Sequence, residues 1–234
     1  RYCLELNQVL STYDGRKMPR IVARSAEALF DCDVFLFTAS KAVPPVGSEV
    51  KDVRMVQYGA NRDLLRDYAR QARETGFCGL FCQISDPVDH LARSVFLNSN
   101  RTDDGTLDFH GLLPEQIQGY GLGVMEARAK FYARKRGLDE DRVAVFGPHG
   151  QSLIVANDVG DGYDHELSCA LTKDTVTANL AVRELGFKPY IAPGLSSAAI
   201  SILRTVTGQW HPGALPLDGA YLGCYSRLTK KGPQ

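Results

Sequence analysis

Hydrophobic and polar residues alternate in blocks along the first half of the chain, and the blocks predict strands and helices in turn. Residues 33–38 are a short apolar run that ends in a small polar residue, which is typical of a strand buried on both faces. From residue 54 to 74, apolar residues recur at helical spacing between charged ones. Residues 76–84 form a second strand-like run. A strand, a helix and a strand joined by short connections predict a βαβ unit and a parallel sheet.

The second half of the chain mixes helical and extended patterns less regularly. Residues 86–89 open a further helix, and the polar, turn-rich residues 98–111 predict a surface excursion. Beyond it we predict helices over 124–136 and 195–207, and extended segments over 142–146, 152–155 and 190–192. The change in pattern predicts an α/β fold with a parallel-sheet domain over 1–110 and a mixed α+β domain over 111–234.

Composition narrows the function classes. The 234 residues have a formal net charge of zero, so neither a nucleic-acid surface nor a polybasic membrane anchor is predicted. No apolar run approaches the roughly 20 residues that span a bilayer, and no signal peptide is recognised. The six cysteines are scattered without zinc-ligand spacing. We therefore predict reduced thiols in the cytoplasm, no metal site, and no membrane or nucleic-acid partner.

Gly147-Pro148-His149-Gly150 is the segment that points most directly to chemistry. It follows the predicted strand 142–146, so the histidine lies on a tight turn at a strand end with its ring free to face a cleft. Imidazole titrates nearest neutrality, which suits a general acid or base. The alternative is a turn histidine without a chemical role.

Five further segments accompany that turn in a definite order along the chain. They are the strand end Thr38-Ala39-Ser40, the pair Arg54 and Asn61, the segment Ile84-Ser85-Asp86-Pro87-Val88-Asp89, the helical Met125-Glu126-Ala127-Arg128, and the helix entry Gly194-Leu195-Ser196. In order and spacing, these segments resemble the lactate/malate dehydrogenase family. The resemblance implies a partial Rossmann-type parallel sheet followed by a mixed α+β substrate domain, and a homodimer or homotetramer.

The resemblance also implies roles for individual residues. His149 is the expected acid/base, Arg54 a loop-borne stabiliser of charge on the substrate oxygen, and Arg128 the carboxylate-binding residue, with Asp86 also at the substrate. The expected cofactor, NAD or NADP, would lie against Thr38, Ala39, Ser40, Asn61, Ile84 and Ser85. The implied reaction moves a hydride between nicotinamide and a small 2-hydroxy or 2-oxo acid. An ordinary strand-to-loop turn is the alternative for residues 38–40.

Three departures separate the chain from the family pattern. A Gly-rich phosphate loop is expected before Tyr2 and is not in the sequence, so we expect a further unit to precede Arg1. The family aspartate that orients the histidine falls on Met125, and Glu126 would point about 100° away on a helix. The usual asparagine is Asp86, which is either protonated by burial or a carboxylate partner for His149. Oxidation of lactate or malate is therefore expected to be weak or absent, and the alternative function is a non-catalytic or altered relative that keeps the fold as a binding or assembly module.

Overall fold

The computed structural model of the protein describes residues 1–9, 18–41, 53–187 and 192–234. The chain forms two compact units, Arg1–Cys32 and Asp33–Gln234. The first unit contains the short helix α1 (Tyr2–Leu6). The Asn7 side chain that follows it donates to the Ile21 carbonyl at 2.7 Å and accepts from the Ile21 amide at 2.9 Å.

The second unit contains the remaining elements. Its strands are β1 (Val34–Phe37), β2 (Leu80–Gln83), β3 (Ile117–Gly119), β4 (Ala144–Phe146), β5 (Ile154–Ala156), β6 (His211–Leu217), β7 (Ala220–Ser226), β8 (Leu228–Thr229) and β9 (Gly232–Pro233). Its helices are α2 (Val53–Glu74), α3 (Val88–Ser99), α4 (Leu122–Lys135), α5 (His165–Glu184) and α6 (Ala192–Val206). Among these residues, no helix is both long and apolar enough to cross a bilayer.

A five-stranded sheet in the order β1-β2-β3-β6-β7 organises the second unit. The first three strands are parallel, with Phe35 opposite Phe81 and Phe81 opposite Ile117, whereas β6 and β7 join as an antiparallel pair. The predicted α/β fold with a parallel sheet and a mixed second half is confirmed. The division into domains 1–110 and 111–234 stays a prediction. The five-stranded sheet takes strands from both sides of residue 110.

Burial along the strands follows their place in the sheet. The central strand β2 is buried at every position, as its continuous apolar pattern indicates. In β1, however, Leu36 is 48% exposed, so the expectation of a strand buried on both faces is wrong there. Phe35 and Phe37 point to the other face of β1, where they are buried against Tyr68 of α2, so the face that carries Leu36 is the less covered one.

The helices cover the sheet, and α4 and α5 build a second hydrophobic core with β4 and β5. Helix α2 buries Leu65, Ala69 and Ala72 completely and packs against α3. Sequence patterns missed α5 and the β6–β7 pair. Of the expected extended segment 190–192, only Ala192 is among the described residues, and it begins α6.

The small antiparallel pair β4–β5 carries the turn of His149. Gly147 at the end of β4 exchanges two backbone hydrogen bonds with Gly223 of β7, at 3.1 and 2.9 Å. A Cβ atom at Gly223 would lie 2.4 Å from the Gly147 carbonyl oxygen, so only glycine permits this approach. The close contact ties the His149 turn to the main sheet.

Candidate active site

A cavity of about 350 Å³ lies at the carboxyl ends of β1 and β2. Crevices at this edge of parallel sheets are the usual ligand sites of open α/β folds. The volume is near the lower end of the range for small-molecule pockets. Its lining residues are Thr38, Ser40, Gln57, Ile84, Ser85, Asp86, Val88, Tyr120, Gly121, Val124, Arg128, His149, Gly194 and Leu195. The cavity therefore brings together seven of the ten residues to which the family resemblance gave a role, from both halves of the chain.

His149 is held by contacts to its ring and to its main chain. Its Nδ1 donates to the Gly121 carbonyl at 2.7 Å, and its backbone amide donates to Asp89 Oδ2 at 2.7 Å. The side chain is 13% exposed, and its Nε2 lies 3.6 Å from Asp86 Oδ1. Since a carbonyl oxygen only accepts, Nδ1 carries a proton and Nε2 is the atom available for proton transfer in the cavity.

The family pattern orients the catalytic histidine with a carboxylate at position 125, and here the backbone carbonyl of Gly121 takes that place. Met125 is 2% exposed and packs in the core with Leu171 and Val145. Glu126 points elsewhere, as expected: its Oε1 accepts from the Tyr225 hydroxyl at 2.8 Å. The Gly121 carbonyl fixes the tautomer of His149 without supplying the full negative charge of an aspartate.

Asp89 is a site residue that the sequence analysis quoted within a motif but gave no role. It lies in the first turn of α3, is 8% exposed, and accepts the hydrogen bond that fixes the main chain of His149. Burial raises the pKa of Asp89, against the opposing effect of the His149 amide. Its second oxygen, Oδ1, is buried without a hydrogen-bond partner among the described residues. A carboxyl after Pro87-Val88 at a helix start was the available signal.

Asp86 and Arg128 place opposite charges on the cavity wall. The sequence left two possibilities for Asp86, a buried protonated carboxyl or a carboxylate partner for His149. The Asp86 side chain is 51% exposed, so it is not buried, and its contact with His149 is observed. Arg128 lines the same cavity from α4, and its Nη1 lies 3.7 Å from Met125 Sδ.

Asn61 joins the two strand ends on the expected cofactor side. It is fully buried; its Nδ2 donates to the Asp86 carbonyl at 2.8 Å, and its Oδ1 accepts from the Lys41 amide at 2.8 Å. Ser85 Oγ donates to the Ala39 carbonyl at 2.7 Å. Asn61 and Ala39 are not among the lining residues, so they contribute to the shape of the wall through these bonds.

One predicted site residue is not described at the cavity, and some of the lining residues were not predicted from the sequence. The side chain of Arg54, in the first turn of α2, lies outside the described residues. The sequence gave no signal for Gln57, Tyr120 or Val124 as lining residues, because a helical polar residue and two apolar ones look like ordinary packing positions. Within the part of the chain that the structure describes, no three His, Cys, Asp or Glu side chains are arranged to hold a metal ion.

Comparisons with known protein sequences give distant similarities. No family model matches the chain. L-lactate dehydrogenase of Mesomycoplasma hyopneumoniae (strain 232) is 26% identical over 131 residues, which is 55% of this chain and 36% of that protein. L-lactate dehydrogenase of Mycoplasma pneumoniae is 28% identical over 138 residues, which is 58% of this chain and 39% of that protein. The matched stretch thus covers less than half of those relatives.

Solved structures resemble the chain over more of its length. Malate dehydrogenase from Archaeoglobus fulgidus, in complex with NADH, superposes with a TM-score of 0.71 at 20% identity, over 93% of this chain and 72% of that one. The minor L-lactate dehydrogenase from Enterococcus mundtii gives 0.66 at 19% identity, over 90% and 70%. The fold is that of lactate and malate dehydrogenases. The predicted resemblance to this family is confirmed.

Proposed function

We propose that the chain is a divergent NAD- or NADP-dependent oxidoreductase of the lactate/malate dehydrogenase type, acting on a small 2-hydroxy or 2-oxo acid. The observation that carries the proposal is His149, whose Nδ1 is occupied by the Gly121 carbonyl while Nε2 faces a cavity that Arg128 also lines. An acid/base nitrogen and a guanidinium in one cavity are the groups that a 2-oxo acid requires.

Each residue of the cavity has a separate task in this reaction. In reduction of a 2-oxo acid, Nε2 of a protonated His149 donates its proton to the forming alkoxide; in oxidation, the neutral ring takes the hydroxyl proton. Arg128 binds the substrate carboxylate, because a planar guanidinium donates two parallel hydrogen bonds. Arg54 is proposed to stabilise charge on the substrate oxygen, as the resemblance to the family implies.

The described residues fit the nicotinamide end of a dinucleotide. Thr38, Ser40, Ile84 and Ser85 line one wall at the strand ends, and Asn61 ties that wall together, in the crevice where open parallel sheets bind nucleotides. Bound NAD or NADP would accept or supply the hydride. A volume of about 350 Å³ would leave room for a small acid beside such a ring.

A variant pair tests the assignment. NADH and NADPH oxidation is measured with a panel of 2-oxo acids for the parent protein, His149→Asn and His110→Asn. His110 is the matched control, since its side chain is 80% exposed and pairs with Asp108 outside the cavity. We expect saturable turnover with at least one acid, a loss of about 10²–10⁴-fold in His149→Asn, and no change in His110→Asn. Turnover that survives His149→Asn would refute the proposal.

The alternative is a relative that keeps the fold as a binding or assembly module. Asp86 favours it, because a carboxylate beside Nε2 repels a substrate carboxylate and cannot donate a hydrogen bond. Binding of NADH without turnover of any acid in the panel would select this alternative. Cytoplasmic location and a homodimeric or homotetrameric state stay predictions, the second of which sedimentation at micromolar concentration tests.

A further inference from the structure

A second cavity lies beside α5 and shares no lining residue with the one at His149. Its volume is about 680 Å³, and β5 and the first turns of α5 form its walls. The lining residues are Gln151, Leu153, Ile154, Val155, Tyr163, His165, Ser168, Cys169, Thr172, Lys173, Val176 and Thr177. Four of these residues are aliphatic, and a thiol, an imidazole, a phenol and an ammonium group are among the others.

Three of these side chains form a connected row. Cys169 Sγ lies 3.7 Å from His165 Nε2, and His165 Nδ1 lies 3.2 Å from the Tyr163 hydroxyl. The cysteine and the histidine are four residues apart on α5, so they share one face of the helix. With Nδ1–H donating to the tyrosine oxygen, Nε2 is left to accept the thiol proton. A nucleophile, a base and a group that orients the base therefore stand in sequence.

We propose that Cys169, His165 and Tyr163 form a thiol site that captures a small disulfide in this cavity as a mixed disulfide. His165 takes the thiol proton, and the Cys169 thiolate attacks one sulfur of the incoming disulfide. A new sulfur–sulfur bond forms at Cys169, the original one breaks, and the leaving thiolate takes the proton from His165; an acidic leaving thiol departs as the thiolate, and His165 then gives the proton to water. The disulfide is the oxidant and is reduced to one thiol, so protons and electrons balance.

The walls indicate which disulfide is accepted best. Leu153, Ile154 and Val176 offer an apolar surface, and Lys173 adds a positive charge one turn after Cys169. An apolar or aromatic disulfide that bears a carboxylate matches both features.

The chain contains its own reference thiols. Cys32 and Cys78 are exposed like Cys169. Cys78 Sγ lies 3.1 Å from the Gly76 carbonyl, an acceptor that cannot remove its proton, rather than beside an imidazole. At the other extreme, burial raises the pKa of the Cys82 thiol to about 12. The site thus predicts an order of reactivity among cysteines of one molecule.

The experiment treats the reduced protein with dithiobis(nitrobenzoate), an aromatic disulfide with carboxylates, at neutral pH. Peptide mass spectrometry gives the rate at each cysteine, and the released coloured thiolate gives the total. We expect Cys169 to react about tenfold or more faster than Cys78, because thiolate is the reactive form and few free thiols are ionised at pH 7.

Variants separate activation from simple exposure. His165→Asn and Tyr163→Phe should lower the ratio of the Cys169 rate to the Cys78 rate, and His165→Asn should shift the pH profile of the Cys169 rate towards that of Cys78. His110→Asn, outside this cavity, should leave the ratio unchanged. The ratio within one molecule corrects for any loss of folded protein. A Cys169 rate no faster than that of Cys78, or a ratio unchanged in His165→Asn, overturns the proposal.

Discussion

The Nδ1 atom of His149 lies 2.7 Å from the carbonyl oxygen of Gly121, the residue just before α4. This one bond does part of the work that the family pattern assigns to an aspartate at position 125. It fixes which ring nitrogen faces the cavity, but a neutral carbonyl stabilises an imidazolium less than a carboxylate does. The Asp86 carboxyl group lies instead on the Nε2 side, with its Oδ1 3.6 Å from that atom.

Gly121→Ala should disrupt this arrangement by steric contact alone. A Cβ atom at Gly121 would lie 2.9 Å from both Cγ and Nδ1 of His149, although the backbone there is helical and suits any residue. Displacement of a reacting group by about 1 Å can cost about 10²-fold in rate, and we expect a loss of that order in kcat/KM. Gly194→Ala is the control within the cavity wall, since its Cβ would meet nothing within 4 Å. Equal rates in the two variants would contradict this reading of the ring contact.

Asp86→Asn is expected to raise turnover of 2-oxo acids. The amide can donate to a substrate oxygen beside Nε2 of His149, and the repulsion of a substrate carboxylate is removed. For the parent protein we expect turnover of lactate and malate well below about 10 per second, an ordinary enzyme's rate. Steady-state assays of parent and variant with both cofactors check this. An ordinary rate in the parent, or no gain in the variant, would count against the role given to Asp86.

Met125→Asp should not act as a simple restoration. Met125 is buried in the α4–α5 core, and its Sδ lies beside Arg128, so a carboxylate there is placed to pair with the guanidinium. We expect the free energy of unfolding to fall by about 2–5 kcal/mol, as for other truncated core side chains, with little gain in turnover beyond that of Asp86→Asn. Denaturant melts and the double variant with Asp86→Asn measure the two effects. A large added gain in the double variant would mean that position 125 reaches the ring of His149.

The pKa of Asp89, raised mainly by burial, makes stability depend on pH. A folded carboxyl with a raised pKa holds its proton more tightly than the unfolded one, so its contribution falls as pH rises from about 4 towards the raised value. Asp89→Asn removes this effect and leaves an amide oxygen to accept from His149. The unfolding free energy of the variant relative to the parent should therefore increase with pH across that window. Urea titrations check it, with the exposed Asp63→Asn as control.

The opposite sign is expected at Asp108. Arg73 donates to its two oxygens at 2.7 and 2.6 Å and holds the pKa of that carboxyl well below its usual range. This stabilisation is present above the usual aspartate pKa and is lost as pH falls through the lowered value. Asp108→Asn should therefore destabilise the protein at pH 7, and the difference from the parent should shrink below about pH 4. A pH-independent difference would exclude the ion pair as its source.

The elements predicted well are those whose hydrophobic period is long or uninterrupted. Strand β2 and the amphipathic helix α2 could be predicted without tertiary information. A continuous apolar run indicates a strand buried on two faces, and apolar residues at helical spacing indicate a helix buried along one stripe. Helix α5 was missed because its apolar residues are separated by small polar ones, and only Ser168, Leu171 and Thr175 are buried.

The site divides in a similar way. His149 and the end of β2 drew attention through residue types at strand ends, and Arg128 through the likeness of its helix to the family pattern. The structure places all three at one cavity. The role of the Gly121 carbonyl could not be predicted, because every residue has a backbone oxygen and the sequence does not distinguish one from another. Asp89 was visible as a residue, but its bond to the His149 amide joins positions far apart in the chain, so only the fold reveals it.

The pairing of Gly119 with Ala214 sets an order on assembly. Strand β3 finds one neighbour, β2, soon after its own synthesis, but the other belongs to a hairpin made much later on the ribosome. Until then, one hydrogen-bonding edge of the central sheet stays open, and contacts of such large sequence separation form slowly. The nascent chain therefore passes through a stage at which a chaperone, or another copy of the chain, can occupy that edge before the β6–β7 hairpin is made.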